Sequence, residues 1–326
     1  MKELVVLSGK GGTGKTSLVA AFAALAERKV LADCDVDAAD LHLILTPRTL
    51  QVQEFQGRRR ARIVPDRCAG CGACAEFCRF GAIAFDGPGN EAIGRTYRVD
   101  PLACDGCGVC GHVCPSQAVE FSVGRDGEWY ISETRHGPLV HARLDPGGEN
   151  SGKLVTLVRQ HARAVAEERD LDLLVVDGSP GIGCPVIASV AGTDLVLGVA
   201  EPTLSGQHDL ERLAGLTAHF RIPMAVCLNR ADLNPEIASA TERWCQVRGI
   251  RLVGRIPYDP VFNQAQEQRK SVVEVGNGPA ARALRDVWQA THAMLMTSPV
   301  IATRSCEARL PAPARRGDPD APRMGR

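Results

Sequence analysis

Aromatic residues are scarce in this chain: Phe, Tyr and Trp make up 4% of 326 residues. That argues against the stacking platforms on which single-stranded nucleic acids are held. Net charge is absent too, with 38 basic residues against 38 acidic ones, so no overall field points to nucleic acid or to a membrane surface. Long apolar runs are missing. The strongest, such as Leu171–Val176, fall far short of a bilayer span. The opening run Leu4–Leu7 passes straight into glycines and lacks the layout of a signal peptide. A cytoplasmic location without a membrane anchor is therefore expected. Apolar residues at 44% suit a soluble core.

Cysteine, by contrast, is abundant, at 13 residues. Eight fall in two runs: Cys68, Cys71, Cys74, Cys78 and Cys104, Cys107, Cys110, Cys114. Without an export signal, thiols at metal spacing read as ligands rather than as a disulfide framework. The remaining five, Cys34, Cys184, Cys227, Cys245 and Cys306, contain no C-x-x-C pair and read mostly as small buried hydrophobes. Both runs follow the C-x2-C-x2-C-x3-C spacing of bacterial two-cluster ferredoxins, in which the fourth thiolate of a run ligates the other cluster. One [4Fe-4S] cluster is thus expected on Cys68, Cys71, Cys74 and Cys114, and a second on Cys104, Cys107, Cys110 and Cys78. Four-cysteine zinc sites do not need this doubled run. Gly70, Gly72, Gly106 and Gly108 would let the loops hug the clusters. The first run is followed by Arg79, the second by Pro115; a cation at Arg79 should raise the potential of a nearby cluster. The two runs are halves of an internal repeat at an offset of 36 residues, which also maps Ala82 onto Ala118 and Phe85 onto Phe121. So small a unit has little core, and metal must contribute much of its folding energy.

The rest of the chain alternates strand and helix patterns. Lys2–Leu7, Val30–Asp33, Leu171–Asp177, Asp194–Ala200, Met224–Asn229 and Arg251–Ile256 read as strands. Lys15–Arg28, Leu154–Arg169, Gly206–His219, Pro235–Arg248 and Pro279–Met296 read as helices, and Glu128–Leu144 has strand character. The domain plan is a parallel α/β domain in two parts, 1–56 and 125–297, interrupted by a cluster-binding insert at 57–124. Residues 298–326, rich in proline and arginine, read as a disordered tail. The basic stretch Arg58–Arg62 before the insert reads as a solvated linker face or as a dock for an acidic electron carrier.

Gly9-Lys10-Gly11-Gly12-Thr13-Gly14-Lys15-Thr16 fits G-x-x-x-x-G-K-[ST], between a strand and a helix as the chemistry requires. Its backbone amides and the helix N-terminus would cradle phosphates. Lys15 would bring charge to the β/γ oxygens, and Thr16 would ligate Mg²⁺; Ser17 extends the nucleotide-binding set. A second G-x-x-x-x-G-K, Gly147–Lys153, lacks the Ser/Thr for Mg²⁺. Its Asn150 or Ser151 reads as a helix cap, with a second anion site as the alternative.

The early lysine makes KGGTGKT resemble the deviant Walker A of the MinD/ParA/Mrp ATPases, which also include the nitrogenase iron protein. The resemblance covers all but the tail. It implies an α/β fold, a parallel-sheet P-loop NTPase (SIMIBI-like) with an inserted α+β bacterial ferredoxin-like module. It also implies ATP as nucleotide and an ATP-sandwiched homodimer, or a heterodimer with a related ATPase, in which Lys10 reaches the partner's phosphates. Asp35, the second acid of Asp33-Cys34-Asp35, would position the attacking water, making Lys10, Lys15 and Asp35 the catalytic set. Asp177, opening Asp177-Gly178-Ser179-Pro180-Gly181, would hold the Mg²⁺ shell with Thr16. Asn229 would hydrogen-bond adenine, with Pro257, Tyr258 and Asp259 lining the base. Asp40 stands where relatives often have asparagine. Cys184, just beyond switch II, reads as a buried or hinge cysteine.

As a whole the chain resembles MinD-superfamily ATPases with an inserted ferredoxin domain. The expected function is an ATPase whose nucleotide state gates electron transfer through two [4Fe-4S] clusters, with an unspecified redox partner protein. The alternatives are a positioning ATPase using the ferredoxin module as redox sensor, and a cluster scaffold or carrier. A scaffold would want a C-x-x-C in the ATPase domain, and none is present.

Overall fold

The computed structural model describes residues 1–146, 148 and 151–298. It opens with β1 (Lys2–Ser8), α1 (Lys15–Leu25), β2 (Lys29–Asp33), α2 (Leu41–Leu45) and β3 (Arg48–Phe55). The cysteine region carries β4 (Arg59–Ile63), α3 (Ala73–Glu76), β5 (Ile83–Gly87), β6 (Thr96–Val99), α4 (Val109–His112) and β7 (Val119–Val123). A hairpin of β8 (Gly127–Thr134) and β9 (Gly137–Leu144) leads to α5 (Ser151–Glu168) and β10 (Leu173–Asp177). Then come α6 (Cys184–Val190), β11 (Leu195–Ala200), α7 (Leu204–His219), β12 (Met224–Asn229), α8 (Pro235–Val247) and β13 (Arg251–Ile256). Three helices close the described chain: α9 (Val261–Glu267), α10 (Val272–Val275) and α11 (Pro279–Thr297).

A nine-stranded sheet runs in the order β13-β12-β11-β1-β10-β2-β9-β8-β3. From β13 to β9 every pairing is parallel; β8 and β3 are added antiparallel at the edge. Helices cover both faces, so the inner strands are apolar on both sides. Leu4 and Val6 of β1 point into the core under α1 and α11, while Val5 and Leu7 point into the one under α5 and α7.

Four features differ from the sequence expectation. Helix α1 stops at Leu25, because the chain turns at Arg28 (φ 44°) to bring Lys29 into register with Leu173. The sheet is mixed rather than wholly parallel. Strand β3 and helix α2 carry little periodic signal, since all of β3 except Gln51 and Phe55 is exposed. The basic stretch Arg58–Arg62 is not simply a solvated face. Arg58 is buried beside Asp126, Arg60 pairs with the same carboxylate, and Arg59 lies 5.0 Å from the centroid of the Phe121 ring.

Among the described residues no helix is long and apolar enough to cross a membrane. Asn150, the side chain of Ser151, the tail beyond Ser298, and Cys306 lie outside what is described. Lys153 of the second glycine-lysine motif donates to the Gln56 carbonyl at 3.0 Å and holds its ammonium 5.7 Å from the Phe55 ring.

Candidate functional site

The C-terminal ends of β1, β2 and β10 bring the phosphate loop, the Asp33–Asp35 segment and the Asp177–Gly181 segment together. Hydrogen bonds knit the three. The Asp177 carbonyl accepts from Cys34 N (2.8 Å), the Cys34 carbonyl from Ser179 Oγ (2.7 Å), and the Ser8 carbonyl from Gly181 N (2.9 Å). Gly12 (φ 78°) and Gly14 (φ 87°) take left-handed conformations that let the loop curl into α1.

A cleft of about 440 Å³ opens above this loop. Gly11 through Ser17, Asp35, Asn229, Pro257 and Asp259 all line it, joined by Asp40, Tyr258 and the α9 side chains Phe262, Asn263 and Gln266. No motif announces the α9 contribution; it follows from the turn after β13 folding back over the loop, where Gln266 Nε2 donates to Ser17 Oγ at 3.3 Å. Asn229 Nδ2 donates to the Thr13 carbonyl at 2.7 Å, tying β12 to the loop. Asp259 Oδ1 accepts from Val261 N at 3.0 Å and sets the start of α9.

Electrostatics centre on Lys15, 5% exposed, whose Nζ sits 2.5 Å from Asp177 Oδ1 and 3.3 Å from Asp35 Oδ2. Burial alone would lower the lysine pKa, but the carboxylates of Asp177, Asp35 and Asp33 outweigh it and raise it. Asp33, which accepts from the Asp35 and Leu41 amides, is held well above the usual carboxylate range by burial and then by the charge of Asp177. Burial also raises Asp35, against the pull of Lys15. Three carboxylates thus converge on one lysine, an environment short of positive charge. Asp177 Oδ2, Thr13 Oγ1 and Asn229 Oδ1 are buried with no hydrogen-bond partner among the described residues. Such orphaned oxygens need external donors or cations. The donor set therefore fits a nucleotide with Mg²⁺.

Gly9 and Lys10 stand apart from the cleft wall. Gly9 has no room for a side chain, because a Cβ would overlap Asp209 of α7. Lys10, 39% exposed, points instead to Glu201, 3.4 Å away, which also pairs with Arg230 at 2.5 Å. Cys184 begins α6 and is exposed, so of the two sequence readings, a buried or a hinge cysteine, the buried one does not hold.

In the insert, Cys68, Cys71, Cys74 and Cys114 line one small cavity, and Cys78, Cys104, Cys107 and Cys110 line another. The repeat is written into the backbone. Gly70 and Gly106 take φ of 67° and 70°, Gly72 and Gly108 take 83° and 85°, and Gly81 and Gln117 take 62° and 49°. Cys114 Sγ accepts from Ala118 N at 3.3 Å. Burial would raise this thiol, but hydrogen bonds from Ser116 and neighbouring amides lower it overall. Every cysteine among the described residues is free. Two sets of four convergent thiols, one with an amide aimed at sulfur, fit two iron–sulfur clusters. Arg79 stacks on Phe80, 4.7 Å from its centroid, beside the second set.

The fold and these two sites define a class: a P-loop nucleotide-binding α/β domain joined to a ferredoxin-type module. Comparison with known proteins agrees. Residues 45–118 match the 4Fe-4S dicluster domain family. The chain is 33% identical over 236 residues to the uncharacterized protein MJ0578 of Methanocaldococcus jannaschii, covering 71% of this chain and 79% of that protein. It is 25% identical over 293 residues to the antiactivator FleN of Pseudomonas aeruginosa, covering 84% of this chain and 80% of that one. The septum site-determining protein MinD of Pyrococcus horikoshii, solved with Mg-ADP, shares the fold with a TM-score of 0.54 at 15% identity, covering 89% of this chain and 95% of that one. The Cyanothece McdA(D38A)–ATP complex gives a TM-score of 0.52 at 16% identity, covering 92% and 98%. The chain belongs to the family of MJ0578, and it joins a fold shared with MinD to a 4Fe-4S dicluster domain.

Proposed function

We propose that this protein hydrolyses ATP and that its nucleotide state gates electron flow through two [4Fe-4S] clusters. The observation that carries the reading is the placement of the insert. Both of its linkers leave from β3 and β8, at the edge of the same sheet whose inner strands β2 and β10 lead to Asp35 and end in Asp177.

In this reading Lys15 releases its carboxylate partners to meet the β/γ phosphate oxygens, and Thr16 and Asp177 hold the Mg²⁺. Asp35, freed from Lys15, orients the attacking water. Asn229 and the Pro257–Asp259 turn, with α9, enclose the base. Lys10, on the rim, reaches the phosphates of a second copy across a dimer in the cytoplasm. The clusters, when bound, each store and pass one electron.

Lys10 supplies a direct test of the dimer. Lys10→Ala is expected to keep nucleotide binding while losing ATP-induced dimerisation and turnover, measured by light scattering in an Asp35→Ala background that holds ATP. A wild-type chain that stays monomeric at saturating ATP refutes the dimer.

Gating is tested by redox titration. A coupling of about 1–3 kcal/mol is ordinary between linked sites, so a shift on the order of 50–100 mV is expected in at least one cluster between ADP and ATP states. EPR-monitored titration of the Asp35→Ala protein with each nucleotide measures it. If the midpoints and the rate of electron transfer to a carrier ignore the nucleotide, gating fails and the positioning ATPase is the better reading.

A further inference from the structure

The insert is joined to the sheet at one buried carboxylate. Asp126 is fully buried between the two linkers. Its Oδ2 accepts from the amides of Gly57 (3.0 Å) and Arg58 (2.8 Å), its Oδ1 pairs with Arg60, and its own amide donates to the Phe55 carbonyl at 2.9 Å. Asp126 therefore ties the entering and leaving strands together at the junction between the β3–β8 and β4–β7 ladders.

From Asp126 contacts run in both directions. Toward the nucleotide, its carbonyl accepts from Asp145 N at 2.9 Å. Asp145 follows Leu144, whose amide donates to Val36 O at 3.3 Å. Val36 is the residue after Asp35, in the segment that faces the γ-phosphate. Toward the clusters, Arg58 reaches from Asp126 to the Pro101 carbonyl at 3.4 Å, three residues before Cys104. The next residue, Arg59, sets its carbonyl against the Cys104–Cys107 loop so tightly that a Cβ on Gly106 would overlap it. Further along β4, Ala61 packs with Cys104, and only Ile63 packs with Cys68 and Cys74. Four residues of strand, roughly 13 Å, separate the Arg59 contact from the Ile63 contact.

We propose that Asp126 is the positioning residue that transmits nucleotide state to the insert, and that it acts on the cluster site of Cys78, Cys104, Cys107 and Cys110, with the Cys68 site lying beyond it. The proposal rests on the gating reading and makes it specific. Movement of Val36 is passed through Leu144 and Asp145 to Asp126. There the buried arginine and carboxylate leave no slack, because unpairing either one strands a charge out of water. Arg58 and β4 then shift the loop around the nearer cluster, changing its hydrogen bonding and solvent access, which set its potential.

The test compares wild type, Asp126→Asn and Arg58→Met, each anaerobically purified with full iron, in EPR redox titrations with ADP and with a non-hydrolysable ATP analogue. Serine at Cys71 or at Cys107, the exposed thiol of each site, marks which signal belongs to which cluster. In wild type we expect ATP affinity to change about tenfold between redox states, equivalent to a shift of about 59 mV for a one-electron couple, in the signal that Cys107→Ser alters. Asp126→Asn should reduce the change below twofold, with iron content and basal ATP turnover kept; Arg58→Met should do the same and serves if Asp126→Asn fails to hold iron. A wild-type shift that survives in both variants overturns the role of Asp126 while leaving gating intact. A shift confined to the signal altered by Cys71→Ser overturns the cluster assignment. No wild-type shift at all refutes gating itself.

Discussion

Lys15→Ala is expected to abolish nucleotide binding and, separately, to destabilise the nucleotide-free protein. The first effect follows from losing the cation that meets the β/γ phosphates. The second follows from geometry. Lys15 is almost wholly buried between Asp177 and Asp35, with Asp33 behind them. Removing one partner of a buried pair costs about 3–5 kcal/mol, because the other charge is left out of water. Raised carboxylates are stabilised in the protonated state, so this penalty should grow as pH rises through their folded pKa values and shrink as pH falls toward the unfolded value. Denaturant titration of wild type and variant at two pH values, beside a nucleotide-binding isotherm, measures both. A variant as stable as wild type at neutral pH would show that the three carboxylates are not the burden described.

Loss of the clusters should unfold the insert and leave the nine-stranded sheet standing. Around one site the packed apolar residues beside the cysteines amount to Ile63 and Ala118 with Ile83, Tyr97, Val99 and Val119; around the other they are Ala61 and Ala82 with a few flanking side chains. Such cores cannot offset the chain entropy of about 70 ordered residues at roughly 1–2 kcal/mol each, so metal binding supplies the difference. The sheet has its own two cores and no need of the insert. Chelation under oxidising conditions, followed by hydrogen exchange, should show fast exchange across β4–β7 and retained protection in β1, β10 and β11. Protection retained in the insert after iron is gone would contradict this account.

Much of this molecule was legible before any coordinates, because its chemistry demands particular residues at particular spacings. A phosphate loop needs glycines, a lysine and a hydroxyl in one short run after a strand, and Gly9–Thr16 supplies them. Thiols gathered into two sets need this spacing, and the doubled run supplies it; Cys78 and Cys114 each line the cavity of the other run. The inner strands were readable because burial on both faces makes them continuously apolar.

Other features depend on neighbours far away in sequence, and only the tertiary structure decided them. Strand β3 has no apolar pattern, and pairing with β8 alone makes it a strand. Nothing local says that α9 walls the nucleotide cleft, or that Lys10 turns to Glu201 rather than inward. The arginines at 58–60 look like a solvated charge run, yet the buried carboxylate that claims two of them lies 66 to 68 residues on. Sequence spacing determines which groups a short stretch can present together. Where a charge is buried, and against which partner, is set by chain segments that meet only when the sheet closes.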